Sequence, residues 1–297
     1  MAVPPEILKQ VKGIALRTRG VVDSLFSGEF RSVFKGQGVE FSEVRAYEAG
    51  DDFRAIDWNV SARLGAPYVK TYTEERELTL LLMVDQSAST RVGTPITKAA
   101  RSVEIAAVLA LAGAREQDRV GAILFSDRVE HVVPPAKGRR HALRLIRDVL
   151  AFASQRRGTN IVRAIQYASN VLSHRSVVVI LSDFLAEGWE KALRELAVRH
   201  QVIAITVDDP REENPPEAGW IEMADAESGR RVLVDTRSSA SRRRWQAAAQ
   251  ARRVRRAELL KAAGAEQIAI DVTTDYGLVL RRAFAKRQRG RAVQRSR

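Results

Sequence analysis

The sequence predicts an α/β protein: a mostly parallel sheet flanked by helices, with a small β-rich subdomain near its start. Three observations carry this. Short continuous apolar runs at Leu78–Val84, Val120–Phe125, Val177–Leu181 and Val202–Val207 have the texture of strands buried on both faces. Helical segments alternate with them along the chain, as parallel strands need a crossover between them. Four of the predicted strand ends are rich in oxygen: Asp85-Gln86-Ser87-Ala88-Ser89, Phe125-Ser126-Asp127, Ser182-Asp183 and Asp208-Asp209. Open parallel sheets bind ligands at that edge.

In order, Glu6–Arg19 reads as a helix with Ile7, Leu8, Val11, Ile14 and Leu16 as its apolar positions. From Gly36 to Arg76 glycines break the chain into short alternating segments, with strands expected over Gly38–Tyr47 and Tyr68–Thr73. The strand Leu78–Val84 is followed by a long Ala/Val/Leu helix, Lys98–Arg115. After Val120–Phe125 come a short alternating strand, Val129–Val133, and an amphipathic helix, Arg140–Phe152. A helix over Ile161–Leu172, the strand Val177–Leu181, a helix over Glu190–Arg199 and the strand Val202–Val207 continue the alternation. Past Pro210, a hairpin (Trp220–Met223 and Arg231–Val234) turns at Glu227-Ser228-Gly229. A long Arg/Ala helix (Ser241–Ala263), a strand (Gln267–Val272) and a helix (Tyr276–Arg287) close the sequence. The domain division expected is 1–77 for the first helix and β-rich subdomain, 78–288 for the α/β domain with a hairpin insertion near 215–236, and 289–297 for a disordered basic tail.

With 297 residues and 45% hydrophobic content the chain can bury a sizeable core. It has no cysteine, which removes disulfides and thiolate metal sites and fits a reducing compartment. Neither a signal peptide at Met-Ala-Val-Pro-Pro-Glu nor a membrane-length apolar run is visible, so a cytoplasmic protein is expected. The net charge of +13 is concentrated late. Residues 237–261 hold nine Arg/Lys against one Glu, and residues 281–297 hold eight against none. A nucleic-acid partner is the usual reading of such charge. Here the arginines at 242–244, 252, 253, 255 and 256 spread around their helix, which suits solvation better than tracking a phosphate backbone.

Asp85, Ser87 and Ser89, at i, i+2 and i+4 on a loop leaving a strand, can aim three oxygens at one point. Thr159, in Arg157-Gly158-Thr159-Asn160 before a helix, can add a hydroxyl, and Asp183 a second carboxylate. Oxygen donors of this kind suit a hard divalent cation, Mg²⁺ or alternatively Mn²⁺ or Ca²⁺. Singly, each residue is equally an ordinary turn or helix-cap residue. Their joint occurrence at strand ends of one sheet makes the metal reading the stronger.

These five residues resemble the metal-ion-dependent adhesion site of von Willebrand factor A domains. Upstream, Gly36-Gln37-Gly38-Val39-Glu40-Phe41, Arg45-Ala46-Tyr47, the run Gly50-Asp51-Asp52-Phe53-Arg54-Ala55-Ile56-Asp57-Trp58 and Ser61-Ala62-Arg63 are similar to the bacterial domain-of-unknown-function family fifty-eight. The resemblance runs from about Gly36 to about Phe284. It implies a von Willebrand factor A-like fold and a protein partner, a MoxR-type AAA+ ATPase, engaged through an acidic residue that completes the metal shell. Asn160 departs from the pattern, since an acidic residue is common there. The charged run Gly50–Arg63 with Trp58 reads as a structural brace of interlocking hydrogen bonds, or else as a partner surface.

An enzyme is not expected. Haloacid dehalogenase-type phosphatases also place an Asp at the end of the first strand, but need a second Asp two residues on as general acid. That position is Ser87. No phosphate-cradling glycine motif is present, and His131, His141, His174 and His200 share no metal-ligand spacing and read as surface or capping residues.

Overall fold

In the computed structural model, residues 5–26, 38–75, 78–91, 96–152, 154–227 and 229–295 are described. Gly36 and Gln37 of the upstream motif, the start of the chain through Pro4, Ser228 of the hairpin turn, and the last two residues of the basic tail lie outside them.

The chain divides into two compact units, Lys35–Glu77 and a larger one formed by Met1–Phe34 with Leu78–Arg297. In the larger unit, β3 (Thr79–Asp85), β4 (Arg119–Phe125), β5 (Val129–Ala136), β6 (Val177–Ser182), β7 (Gln201–Asp208) and β10 (Glu266–Asp271) form one sheet in the order β10-β7-β6-β3-β4-β5. All neighbouring pairs are parallel except β4 with the edge strand β5. This is the α/β architecture the sequence predicts, a mostly parallel sheet flanked by helices.

The apolar runs are continuous because both faces are covered. Leu80, Leu82 and Val84 of β3 point into one core, and Leu81 and Met83 into the other. The first core is closed by α4 (Lys98–Arg115), α5 (Arg139–Ala151) and α10 (Tyr276–Arg295), the second by α6 (Ile161–Val171), α7 (Glu190–Arg199) and α9 (Ser239–Ala262). α4 starts where Thr97 accepts a hydrogen bond from the Ala100 N–H, and its middle is buried almost throughout. A four-residue helix, α8 (Pro210–Glu213), follows β7, and β8 (Trp220–Ala224) pairs with β9 (Arg231–Asp235) as a separate two-stranded hairpin.

Two expectations change. The N-terminal helix was grouped with the β-rich subdomain, but α1 (Pro5–Arg17) and a second helix, α2 (Arg19–Phe26), belong to the larger unit. The reason is their apolar stripe: Val11, Ile14 and Val22 are buried in the first core. At the other end, α10 runs to Arg295, so 289–295 of the expected disordered tail are helical backbone. Among the described residues, no helix is long and apolar enough to cross a membrane.

The smaller unit pairs β1 (Gly38–Ala46) with β2 (Tyr68–Glu75) in an antiparallel ribbon, bulged between Phe41 and Glu43. Between them lies α3 (Trp58–Leu64), capped at its start by Asp57 and ended by Gly65 in the left-handed region. The acids of the motif do brace this unit. Asp51 takes a two-pronged bond from Arg45 at 2.8 and 2.6 Å, and Asp57 accepts from the Asn59 and Val60 N–H groups and pairs with Lys70 at 3.1 Å. The Arg45 guanidinium and the Lys70 ammonium hold these two carboxyls below the usual range. Trp58 takes no part in the brace, being 71% exposed. Replacing it therefore empties no cavity. Trp58→Ala is expected to leave the thermal midpoint within the range of an ordinary surface change, roughly 0.5 kcal/mol either way. Asp57→Ala, which removes a helix cap, is expected to cost about 1 kcal/mol in the same denaturation experiment.

Candidate metal centre

Strand order reverses at β3. The chain moves outward from β3 to β4 and β5, then returns to lay β6 on the other side of β3. The crevice at the carboxyl ends of β3 and β6 is therefore the switch point of the sheet, where open α/β folds place ligands. Asp85 ends β3, and Ser182 with Asp183 ends β6.

Asp85 is fully buried, and each of its oxygens is held. Oδ1 accepts from the Ser87 N–H at 2.9 Å, folding the loop back on itself, and Oδ2 accepts from the Ser182 hydroxyl at 2.6 Å. That turn brings the Ser87 and Ser89 hydroxyls within 3.2 Å of each other, and Thr90 closes it by donating to the Ser87 carbonyl at 2.8 Å. The loop of Thr159 is fastened alongside. Ala88 N–H donates to the Arg157 carbonyl at 3.0 Å, Arg91 donates to the carbonyls of Gln86 and Arg156, and Asn160 N–H donates to Ser126 at 2.6 Å. The Thr159 hydroxyl itself donates to Glu227 Oε1 at 2.5 Å. Asn160, the departure from the family pattern, caps α6 by accepting from the Arg163 N–H.

Asp183 faces a different neighbour. Its Oδ2 lies 2.9 Å from the ammonium of Lys98, and its Oδ1 accepts from the Leu185 N–H at 3.3 Å. Phe184 between them has a φ of 52°, an uncommon conformation for a bulky residue, held by packing edge-on against Trp189. Lys98 is 1% exposed and also pairs with Glu212 at 2.7 Å. Burial opposes its charge, yet the attraction of Asp183 and Glu212 outweighs that and raises its pKa. A second tier lies behind: Arg256 grips Asp208 with two bonds at 2.9 and 2.7 Å and donates to the Asp183 carbonyl at 2.7 Å.

The sequence-predicted residues are thus gathered at one edge. Asp85, Ser87 and Ser89 form one turn, Thr159 sits on the loop bonded to it, and Asp183 follows the next strand. Asp183 is engaged by Lys98 and Thr159 by Glu227, two partners the sequence did not suggest; Glu212 was likewise missed, and Ser182, seen as part of an oxygen-rich strand end, was not assigned its bond to Asp85. Lys98 left a local signal, a cation at the first position of a largely apolar helix, where the helix dipole disfavours it. His200, read as a surface or capping residue, is the C-cap of α7, and it is buried, with Nδ1 accepting from the Ser176 N–H at 3.3 Å.

Would a divalent cation fit these residues? Among the described residues no three His, Asp or Glu side chains form a metal-holding group, so such a cation would lean on hydroxyls. The charge balance favours one. Asp85, Asp183 and Glu212 set three carboxyls against the ammonium of Lys98, so ionising all of them leaves the crevice net negative. Burial first, and the charge of Asp183 second, push the Asp85 carboxyl up to about 7 from its ordinary 3.8. The donor set of two carboxylates and three hydroxyls is that of a hard cation such as Mg²⁺.

Comparison with known proteins agrees with the upstream motif. Residues 43–255 match the family described as "Protein of unknown function DUF58". An uncharacterized protein of Mycobacterium tuberculosis strain H37Rv is 32% identical over 292 residues, covering 96% of this chain and 91% of that protein. One from Mycobacterium bovis gives the same figures. Among solved structures, the conserved hypothetical protein BatB from Bacteroides thetaiotaomicron aligns with a TM-score of 0.49 at 15% identity, over 71% of this chain and 99% of that one. The VWA domain of SpRpn10 aligns with a TM-score of 0.40 at 13% identity, over 69% and 94%.

The charge balance has a measurable consequence without metal. Because the Asp85 carboxyl titrates higher in the folded protein than its ordinary 3.8, the native state binds that proton more tightly than the unfolded chain. Its ionisation therefore costs nothing below pH 4 or so, weakens the fold as pH rises through the window from 3.8 to about 7, and reaches a plateau above it. At about 1.4 kcal/mol per pH unit the plateau is on the order of a few kcal/mol. In chelator at pH 8, Asp85→Asn should melt at a higher temperature than the wild type, and the difference should shrink towards pH 4. Equal midpoints at pH 8 would contradict the buried-charge account.

Proposed function

The chain belongs to the DUF58 family, and from that premise we propose a metal-dependent protein-interaction module. In this reading it is an adaptor or accessory factor of a MoxR-type AAA+ ATPase, working in the cytoplasm, and it binds rather than catalyses. The observation that carries the reading is the pair of buried carboxyls, Asp85 and Asp183, at the switch point of the sheet.

Asp85, Ser87, Ser89, Thr159 and Asp183 would hold Mg²⁺ or Mn²⁺. With hydroxyls as direct ligands and the carboxylates acting through water, a bound cation keeps most of its charge and has a position open to one more carboxylate. An Asp or Glu of the partner would take it. The residues of this chain fix the turn and supply Lys98 to hold Asp183 in place. A nucleic-acid role through the basic α9 has less to stand on. Arg242, Arg253 and Arg256 are turned to Glu217, Glu213 and Asp208 of the same chain.

Millimolar Mg²⁺ is expected to raise the melting temperature over a chelated sample, by about 2.7 kcal/mol of added stability when the ion stands at a hundred times its Kd. Asp85→Ala/Asp183→Ala should not respond. In co-purification, Ser87→Ala/Ser89→Ala or chelation should release the AAA+ ATPase, and deletion of Arg289–Arg297 should not. A complex lost with the tail but kept by the serine variant would replace the metal-centred account with a basic-tail one.

A further inference from the structure

The tip of the β8–β9 hairpin reaches the candidate centre from a part of the chain that the proposed function leaves unused. Its base is fixed: Thr236 is buried, its N–H and hydroxyl both donate to the Gly219 carbonyl, and its hydroxyl accepts from the Ala218 N–H. Its middle is open to solvent, with Trp220, Val232 and Leu233 exposed. Its tip is shaped by Asp225, which accepts from the Glu227 N–H at 2.8 Å through its side chain and from the Gly229 N–H at 2.8 Å through its carbonyl. Gly229 has a φ of +70°, which a side chain would strain, and a Cβ there would lie 3.9 Å from a guanidinium nitrogen of Arg157. The turn therefore rests on the loop that carries Thr159, and the one side chain it lowers onto a predicted ligand is Glu227, 2.5 Å from the Thr159 hydroxyl.

We infer that Glu227 is an internal carboxylate for the candidate metal centre, supplying in cis the acidic ligand that a partner would bring, so that the partner's acid gains the site by displacing the hairpin tip. This rests on the metal-dependent reading above. A third carboxyl brought near Asp85 and Asp183 adds negative charge to a poorly solvated crevice, which the Arg157 guanidinium beside the turn offsets only in part. It becomes favourable once a cation stands there. The hairpin is also built to move at one end only: fixed at Thr236 and Gly219, exposed along its length, and held at the tip by polar contacts that an incoming carboxylate can replace.

The test is Mn²⁺ binding to the full chain, with free Mn²⁺ read by electron paramagnetic resonance and bound Mn²⁺ by water-proton relaxation. The variants are Glu227→Gln and, as a control on the same hairpin, Glu222→Gln. The wild type and Glu222→Gln are expected to bind alike. Glu227→Gln should bind about tenfold more weakly, the usual scale for losing a group that supports a metal, and relax water protons faster because water takes the vacated position. Unchanged affinity and relaxation in Glu227→Gln would overturn the inference and leave the metal reading standing. Weaker binding without the gain in relaxation would overturn it too, since a purely structural contact of the hairpin gives that result. A wild type that binds no Mn²⁺ would overturn both.

Discussion

Lys98 sits where elementary helix physics would exclude it. It opens α4, where the helix dipole presents its positive end, and it is closed off from solvent. An ammonium survives there only because Asp183 and Glu212 approach to 2.9 and 2.7 Å. The contact joins three distant stretches of chain: the start of α4, the loop after β6, and the short α8 after β7. Without it Asp183 would stand beside Asp85 as a second buried acid with no cation, and breaking a buried pair by removing one partner costs far more than the pair itself contributes. The geometry of the whole carboxyl edge depends on that ammonium staying in place and charged.

Topology explains why the charges collect there at all. β3 lies between β4 and β6, so the loops leaving β3 and β6 diverge and open a crevice. The crevice is walled by α4 on one face and by the loop before α6 on the other. Loop backbone in such a place must find partners for its N–H and C=O groups. The carboxylate of Asp85 and the hydroxyls of Ser182 and Thr90 supply them, and each such bond also fixes an oxygen in the crevice. The second tier, Arg256 between Asp208 and the Asp183 carbonyl, does the same one strand further out. Local backbone satisfaction and the assembly of a site are here the same set of contacts.

Legibility in the sequence follows the range of the interaction. β3, β6 and α4 could be read with nearly correct ends because burial on both faces of a strand, or along a long helix, writes an unbroken apolar pattern. The turn Asp85–Ser89 was legible because its residues are neighbours in sequence. α3 was missed although Asp57 and Gly65 mark its ends, since seven residues with an exposed Trp58 carry no apolar stripe. Trp58 itself was misread as part of the brace because the density of charge around it is structural, whereas its ring is not used. The helix α1 is visible in the sequence and α2 is not, and what α1 packs against is hidden too, for an amphipathic stripe does not name the surface it covers. Lys98 with Asp183 spans 85 residues, and Thr159 with Glu227 spans 68. No periodicity records such pairings, so the features that most distinguish this site were the ones hidden from the sequence.

The same contacts bear on why the proposed role is binding. A nucleophile needs a base to take its proton and room for a substrate to approach. Asp85 has both oxygens engaged by Ser87 and Ser182, and it is wholly buried. Of the histidines, His141 is spent on the Val120 carbonyl and His200 on the Ser176 N–H. Lys98 cannot give up a proton readily while two carboxylates hold it charged. What remains is an arrangement whose oxygens are fixed and whose charge is unbalanced, and such an arrangement is suited to hold a cation still and present it outward. A cation held there would be within reach of the hairpin tip that bonds Thr159, so affinity for an acidic partner would be set by how firmly the residues around Thr159 keep that direction open or closed.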